Sequence, residues 1–511
     1  MNLFQSICGN RPSSTAIIHG RREITYDELC TETLGTAQAI TLLGVQPGDR
    51  VALLLHDSPE FVAAFIAICS LGAIAVPINM GLRADDQRLI LHNSGARFAL
   101  LEADICNTLL TGASEKLRAL KEIVVVERAG VATEFRTLQE LQAESAALRR
   151  PEFPSPAKDE PAFILYTSGS TGEPKGAVHT QADIFYTNQT FCREVLGLST
   201  TDRLFSSSRL PFAYGLGNSF SFPLLNGVTS ILSTEKPTAE VVSRIFEESR
   251  PTIFFGVPVV YNLLLDHHRS GNKLNCSSLR FCVSAGEALP AHLGDAWEHE
   301  FGVKVLDGIG STEMLHMFMS NHQNDVRYGS SGKVLEGYEA RLLDEDGKPV
   351  TRGEGNLWIK GQSAARGYWE KPEESKRTFV DGWVRTGDLY RRDEDGYWFH
   401  MGRSDDCFKS SGRWVSPVEV EGVLIRHDKV ARVAVVEDFD RDGLPCACAF
   451  VVCQDVEFEA GEVEKELSEL AAASLPRFKR PRRYEFVKEF PYTATGKVQR
   501  FKLRQSLRRE N

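Results

Sequence analysis

The densest set of groups able to hold a phosphate lies in Tyr166-Thr-Ser-Gly-Ser-Thr-Gly-Glu-Pro-Lys-Gly176. Thr167, Ser168, Ser170 and Thr171 bring hydroxyls, Gly169, Gly172 and Gly176 open the backbone, and Lys175 adds one ammonium. Such a loop can wrap a polyphosphate with backbone N–H groups and hydroxyls while the lysine neutralises charge. It is not a Walker A loop, which needs Gly-Lys-Ser/Thr, because Lys175 stands between Pro174 and Gly176. A Gly/Ser linker has a similar composition. A linker would not usually be tied to a strand or end in Pro-Lys-Gly, and here the apolar run Ala162-Phe-Ile-Leu-Tyr166 leads straight into the loop.

The elements that must position this loop show in the apolar runs. Val51 to Leu55 reads as a buried strand, followed by a helix from about Pro59; Ala73 to Pro77, Phe98 to Leu101 and Ile123 to Val126 read as further strands. Short apolar strands between helical patterns predict α/β units with parallel sheets. From Gly332 to His400 short alternating strands and the turns Asp344-Glu-Asp-Gly347 and Asp393-Glu-Asp-Gly396 predict a small antiparallel barrel or sheet. Phe61 to Ile78 carries no charge and approaches the length of a membrane span, but Ser70, Gly72 and Pro77 interrupt it. A buried helix, a glycine turn and a strand are expected there instead. No period of 20–50 residues repeats, which excludes a solenoid or propeller.

The 511 residues, 42% hydrophobic and 25% charged, have ordinary globular composition and enough length for more than one domain. A disordered chain, a collagen, a coiled coil and a small disulfide scaffold are excluded. The net charge of −10 argues against nucleic-acid binding by the chain as a whole. The eleven cysteines are scattered, with no C-x2-C pair, and Cys446 and Cys448 read as core residues on one strand face. With no basic and apolar leader at the N-terminus, a cytoplasmic location is expected. A boundary is expected at Gly402-Arg-Ser-Asp-Asp406: from Arg403 onward 20 Lys and Arg meet 19 Asp and Glu, leaving −11 on the first 402 residues. In that tail Arg477-Phe-Lys-Arg-Pro-Arg-Arg483 places five basic residues in seven. The run is either a solvated charged face or a contact for a phosphate-bearing ligand, with Phe478 stacking on a base.

The Tyr166–Gly176 loop resembles the signature of the adenylate-forming superfamily of acyl-CoA synthetases, non-ribosomal adenylation domains and firefly luciferases. The resemblance extends over essentially the whole chain, because four more motifs follow in the order expected of that family. They are Asp307-Gly-Ile-Gly-Ser-Thr-Glu313, Arg385-Thr-Gly-Asp388, Gly402-Arg-Ser-Asp-Asp406 and Thr493-Ala-Thr-Gly-Lys497. Asp307 to His316 and Pro211-Phe-Ala-Tyr-Gly-Leu-Gly-Asn218 look like the versions in the benzoate–CoA ligase group. The resemblance implies a mixed α/β fold. A large N-terminal domain, residues 1–402, would hold two α/β sheet subdomains and a small β-barrel; residues 403–511 would form a small mobile α+β domain.

The resemblance also implies a two-step reaction, in which a carboxylate attacks the α-phosphate of ATP to give acyl-AMP and pyrophosphate, and a thiol then displaces AMP. One anion approaches another, so cations must be placed in advance. Lys497 would bridge the carboxylate and the α-phosphate; its bland alternative is an exposed tail lysine. Glu313 would hold Mg²⁺, which takes few protein carboxylates, although a glutamate after Ser311-Thr312 also suits a helix start. Asp388 would bind the ribose hydroxyls, with Arg403 near the nucleotide. Thr167, Ser168, Gly169, Ser170, Thr171, Gly172, Lys175, Gly286, Glu287, Asp307, Gly308 and Thr312 complete the expected ATP site. Asp405 falls where the family places its hinge, and Gly412 in the loop that faces the site during thioester formation. Arg83, Lys409, Arg477, Lys479 and Arg480 are the candidates for CoA.

Amino-acid-activating relatives use an Asp near Phe212 to grip an α-ammonium. Pro211 to Asn218 holds no acid, so an amino acid is disfavoured. Ala213, Tyr214, Gly215, Ile309 and His316 would line a pocket suited to a planar aryl ring, with His316 either bonding a ring substituent or simply closing the pocket. The expected activity is an aryl acid–CoA ligase using ATP, Mg²⁺ and CoA, as monomer or homodimer, without nucleic acid or membrane. The alternative is an aryl acid–AMP ligase that loads an acyl carrier protein. A luciferase-like oxygenase has only shared ancestry in its favour, and a non-catalytic binder would have lost Lys497, Glu313 and Asp388.

Overall fold

The computed structural model describes residues 2–9, 12–110, 117, 119–126, 135–168, 173–454, 458–492 and 498–507. The chain forms two compact units, residues 1–339 with 360–384, and residues 340–359 with 385–511.

The first unit is built on two sheets. In the six-stranded sheet the order is Glu122–Val126, Phe98–Glu102, Arg50–Leu54, Ile74–Pro77, Pro161–Ser168, Pro174–Thr180. Its first five strands are parallel and the last returns antiparallel, as a hairpin. In the nine-stranded sheet Thr15–His19, Thr229–Leu232, Arg203–Ser206, Ile253–Gly256, Phe281–Ser284 and Val305–Gly310 are parallel neighbours, with antiparallel strands at both edges. Such strands, buried on both faces, need continuous apolar runs rather than alternation, and Arg50–Leu54 and Phe281–Ser284 supply them.

The uncharged stretch after residue 58 is a helix, a turn and a strand. Ser58 caps the Phe61 N–H, Pro59 occupies the first turn, and every residue of Pro59–Ser70 except Glu60 is buried. Gly72 turns the chain at φ +78° into Ile74–Pro77. Phe65 of this helix packs on Phe163 of the first sheet (ring centroids 5.5 Å) and on Phe220 beside the second (5.0 Å), so one apolar helix joins both sheets. Among the described residues no helix is long and apolar enough to cross a membrane. The cysteine pattern gave no sign of one bond that forms: Cys8 and Cys30 make a disulfide, S–S 2.08 Å, between the first two helices.

In the second unit the strands Glu339–Leu343, Glu354–Lys360, Trp383–Arg392 and Trp398–Arg403 form a small sheet. The strand pair Val430–Phe439 and Pro445–Cys453 is extended by Pro481–Phe486, with helices Pro417–Leu424, Ala460–Ser474 and Arg500–Leu507 on its faces. The small sheet therefore packs with the C-terminal residues. This division by packing differs from one drawn at residue 402.

Candidate active site

Of the phosphate-binding candidates, Thr167 and Lys175 pair with each other across the hairpin made by Pro161–Ser168 and Pro174–Thr180. Gly169, Ser170, Thr171 and Gly172, with the side chain of Ser168, lie outside the described residues. A Cβ on Gly176 would lie 2.6 Å from Ile164 and 2.9 Å from Tyr166, so this end of the motif is glycine for packing. Residues 366–369 run beside the second hairpin strand, through Arg366 N–H to Val178 O (2.9 Å) and Trp369 N–H to Gly176 O (2.7 Å). That places the Tyr368 ring 5.4 Å from the Lys175 ammonium, within cation–π range.

Tyr368 also reaches the carboxylate candidate. Its hydroxyl donates to Glu313 Oε1 at 2.6 Å. Glu313 lies in the 3₁₀ turn Thr312–Met314, which Ser311 caps through the Met314 N–H, so the motif does start a helical turn. The turn is held on both sides. Ala365 N–H donates to Glu313 O at 2.8 Å, and His179 Nε2 meets Thr312 O at 2.8 Å. His179 is fully buried, and its Nδ1 lies 3.0 Å from Asp183 Oδ2. Asp183 in turn accepts from the Thr180 N–H and hydroxyl, both at 3.0 Å. The phosphate hairpin and the Glu313 turn are thus fixed to each other by His179 and Tyr368.

Among the described residues no group of three or more His, Cys, Asp or Glu could enclose a metal. Glu313 stands as a single, partly exposed carboxylate. It fits Mg²⁺ held mainly by phosphate and water, and does not fit a metal caged by protein alone.

The aryl-pocket candidates converge on His316. Ala213, Tyr214 and Gly215 form the short helix Ala213–Leu216. The Tyr214 ring lies 5.6 Å from the His316 ring and its hydroxyl donates to Val283 O at 3.1 Å. Phe191 and Phe222 enclose the imidazole at 4.9 and 4.6 Å. His316 Nε2 meets Asn218 Oδ1 at 3.1 Å. Burial drives the His316 pKa down to about 3, so the ring is neutral. Ile309 lies on Val305–Gly310, and a Cβ on its neighbour Gly310 would lie 2.5 Å from His316 O. Asn218 and Phe191 sit on two π-helical stretches, Gly217–Ser221 and Asn188–Leu196, which wider turns bring against the ring.

Asp307 is buried; its Oδ2 accepts from Leu289 N–H at 3.3 Å, so it anchors the loop that contains Gly286 and Glu287. Burial pushes its carboxyl well above the usual range, against the pull of that bond. Gly308 is glycine for packing, since its Cβ would lie 2.2 Å from Met317 Cε. Arg83 is exposed and paired with Asp86 at 3.2 Å.

The remaining candidates belong to the second unit. Burial acts to raise the Asp388 pKa, but His400 Nε2 at 3.5 Å and Arg403 Nη1 at 3.1 Å outweigh it and hold the carboxyl below its ordinary range. Arg403 also donates to Thr386 O at 2.9 Å, and Gly387, at φ +75°, leaves it room. Gly412, at φ +72°, and Ser411, at φ +52°, make the turn between Phe408–Ser410 and Arg413–Val415. Lys409 pairs with Glu345 at 2.7 Å. Asp405 is exposed, as is Arg477. Lys479 is buried against Glu419, and Arg480 donates to the carbonyls of Leu475 and Ala472 at 2.8 and 2.9 Å. Lys497 lies outside the described residues.

The motifs did not point to His179, Asp183, Tyr368, Phe191 or Phe222, and Asn218, which ends the Pro211–Asn218 motif, was not singled out as a pocket residue. A His and an Asp four apart after the phosphate motif could have flagged the first pair; Tyr368 carries no local signal.

Comparison with known proteins supplies the rest. Residues 4–369 match the AMP-binding enzyme family and residues 419–497 its C-terminal domain. A benzoate–CoA ligase of Thauera aromatica is 41% identical over 510 residues, covering 98% of this chain and 94% of that protein. The solved structure of an anthranilate–CoA ligase, AuaEII, in complex with anthranoyl-AMP superposes with a TM-score of 0.91 at 37% identity, covering 99% of this chain and 97% of that one. A benzoate–CoA ligase from Burkholderia xenovorans LB400 superposes at 0.87 with 38% identity, covering 99% and 100%.

Proposed function

The chain belongs to the AMP-binding enzyme family, and from that premise we propose that it is an ATP-dependent aryl acid–CoA ligase acting on benzoate or a simply substituted benzoate. The observation that carries the reading is near-full-length similarity to benzoate–CoA ligase, joined to a candidate pocket of aromatic rings around a neutral His316.

In the first step a carboxylate oxygen of the aryl acid bonds to the α-phosphorus of ATP and the bond to the pyrophosphate oxygen breaks. Tyr214, His316, Phe191 and Phe222 would fix the ring, so the carboxylate arrives oriented. The 167–175 hairpin would hold the phosphates, and Lys497 would stand between the two approaching anions. Mg²⁺ bound through Glu313 would supply further neutralisation of phosphate charge. Tyr368 and His179 hold the Glu313 turn so that this carboxylate needs little reorganisation. Asp388, kept ionised by His400 and Arg403, is suited to accept hydrogen bonds from ribose hydroxyls. In the second step the CoA sulfur bonds to the acyl carbon, the thiol proton is lost to solvent, and AMP leaves with the electron pair of the broken bond. Rotation at Asp405 would bring Gly412 in place of Lys497, with residues 403–511 as the moving body. Of the CoA candidates, Arg83, Lys409 and Arg477 are exposed, the first two in surface ion pairs with Asp86 and Glu345, whereas Lys479 is buried on Glu419 and Arg480 serves backbone carbonyls.

We place the enzyme in the cytoplasm, where ATP and CoA are plentiful, as monomer or homodimer. An acyl carrier protein is the alternative acceptor. Mass-spectrometric product analysis with ATP, Mg²⁺, CoA and a panel of benzoates, hydroxybenzoates, aminobenzoates and short fatty acids tests the reading. Aryl-CoA and AMP are expected; aryl-AMP accumulating without thioester would move the acceptor to a carrier protein, and fatty acyl-CoA would overturn the aryl assignment.

A further inference from the structure

The bonds on either side of Asp405 tie the chain to two different elements. Up to Ser404 the chain is fastened to the small sheet: Ser404 N–H donates to Gly387 O at 2.9 Å and its hydroxyl to Asn356 Oδ1 at 2.7 Å. From the Asp405 carbonyl onward it is fastened to the helix Arg500–Leu507. Arg504 Nη1 donates to Asp405 O at 3.3 Å and pairs with Asp406 Oδ1 at 3.2 Å. Arg500 Nη1 lies 4.0 Å from Asp406 Oδ2, while its Nη2 grips both oxygens of Glu421 at 2.8 and 2.9 Å. Between the two sets of anchors lie the ψ bond of Ser404 and the two soft torsions of Asp405. The turn bonds from Asp406 and Cys407 N–H to Arg403 O, 3.0 and 2.9 Å, span them, as do Cys407 Sγ to Met401 O at 3.4 Å and the exposed Lys409–Glu345 pair at 2.7 Å.

The same helix follows Lys497 closely in the sequence. Just before it Tyr492 and Val498 form a bridge, and Gln499 N–H donates to Pro491 O at 2.8 Å. Leu503 and Leu507 hold the helix to the three-stranded sheet, packing with Ala434, Val436 and Phe450. One face of the helix is thus bound to the body of the sheet and the other to the pivot.

We propose that Arg504, assisted by Arg500, is a positioning residue that locks the far side of the Asp405 pivot to the helix Arg500–Leu507, so that rotation at Asp405 carries this helix, which Lys497 precedes by three residues in the sequence, together with the three-stranded sheet. The inference rests on the two-step ligase reading. The 409–414 loop continues directly from Cys407 and needs no such brace. Loosening Arg504 therefore impairs delivery of Lys497 more than delivery of Gly412.

The test separates the half-reactions in the full-length protein. Arg504→Ala is expected to slow benzoate-dependent ATP–pyrophosphate exchange about tenfold, the effect of losing charge-assisted hydrogen bonds. Thioester formation from supplied benzoyl-AMP and CoA is expected to stay within about twofold, because only one orientation depends on the brace. Arg504→Lys keeps a cation for Asp406 and recovers part of the loss. Equal decline of both half-reactions, or of neither, overturns the proposal. A wild-type protein that makes no benzoyl-AMP overturns the ligase reading instead. Hydrogen exchange then tests the brace without catalysis: Arg504→Ala should speed exchange at the Asp406 and Cys407 amides and leave Ala447 to Val451 unchanged. Unchanged protection at Asp406 and Cys407 overturns it.

Discussion

Replacing His316 by Phe should change how stability depends on pH more than it changes the fold. The imidazole is enclosed by Phe191, Tyr214 and Phe222 and meets Asn218, none of which is charged near neutral pH. Burial lowers its pKa from 6.5 to about 3. Above pH 6.5 the ring is neutral in both the folded and the unfolded chain. As pH falls, the unfolded chain takes up a proton that the folded chain refuses until about pH 3, so stability is lost across that window. One unit of pKa difference is worth ~1.4 kcal/mol, so His316 alone removes about 2 kcal/mol between pH 7.5 and pH 5. His316→Phe also loses the Asn218 bond, but that loss does not vary with pH and shifts the whole curve. The assay is urea unfolding of wild type and variant at pH 7.5, 6 and 5, followed by tryptophan fluorescence. The other titrating groups are common to both proteins, so the difference between the curves isolates this one. The variant should close the gap on wild type by about 2 kcal/mol at pH 5. Two curves falling in parallel would show that His316 ionises freely in the fold, and the neutral aryl pocket argued above would fail with it.

Three further outcomes follow from the proposed site. Lys497→Ala should abolish pyrophosphate exchange while sparing thioester formation from supplied benzoyl-AMP; equal loss in both assays would remove the lysine from the first step. Gly412→Val should slow mainly the second half-reaction, because a bulky side chain would obstruct the thiol's approach and φ +72° disfavours it; an equal fall in exchange would make Gly412 a turn glycine alone. Tyr368→Phe keeps the ring beside Lys175 but removes the bond to Glu313 Oε1. It should raise several-fold the Mg²⁺ concentration needed for half-maximal exchange and weaken Mn²⁺ binding in the presence of ATP, measured by electron paramagnetic resonance. Unaltered metal dependence would make Tyr368 a packing residue.

What could be read from the sequence was what is local in the chain. The strand into Thr167 and the capped turn at Glu313 each depend on residues within about ten positions, and composition exposes them, whereas the return strand that carries Lys175 read only as loop. The basic run was harder to interpret. A charged run does not say which heads reach solvent, and here Lys479 is buried on Glu419 while Arg480 ends the helix Ala460–Ser474 by binding its last carbonyls. The Cys8–Cys30 bond was hidden for a related reason: 22 residues of spacing carry no pairing rule, and proximity comes from how the first two helices pack.

The contacts that position the candidate site are the least visible in sequence, because they join residues that only tertiary structure brings together. His179 and Thr312 are 133 positions apart, and Tyr368 and Glu313 are 55 apart. No window of sequence relates them, and neither His179 nor Tyr368 is itself expected to touch a reacting atom. The pocket shows the same limit in reverse, since its shape depends on atoms that are missing. A Cβ at Gly217 would lie 2.4 Å from the His316 ring, and one at Gly215 would lie 2.1 Å from Arg209 O. Sequence shows these glycines, but not what they make room for. A motif can therefore nominate the groups that do chemistry, while the precision with which they act depends on buried partners and omitted side chains elsewhere in the chain. On that argument Tyr368→Phe is as informative about the proposed activity as a change at Glu313 itself, because it alters the placement of the carboxylate and leaves its chemistry intact.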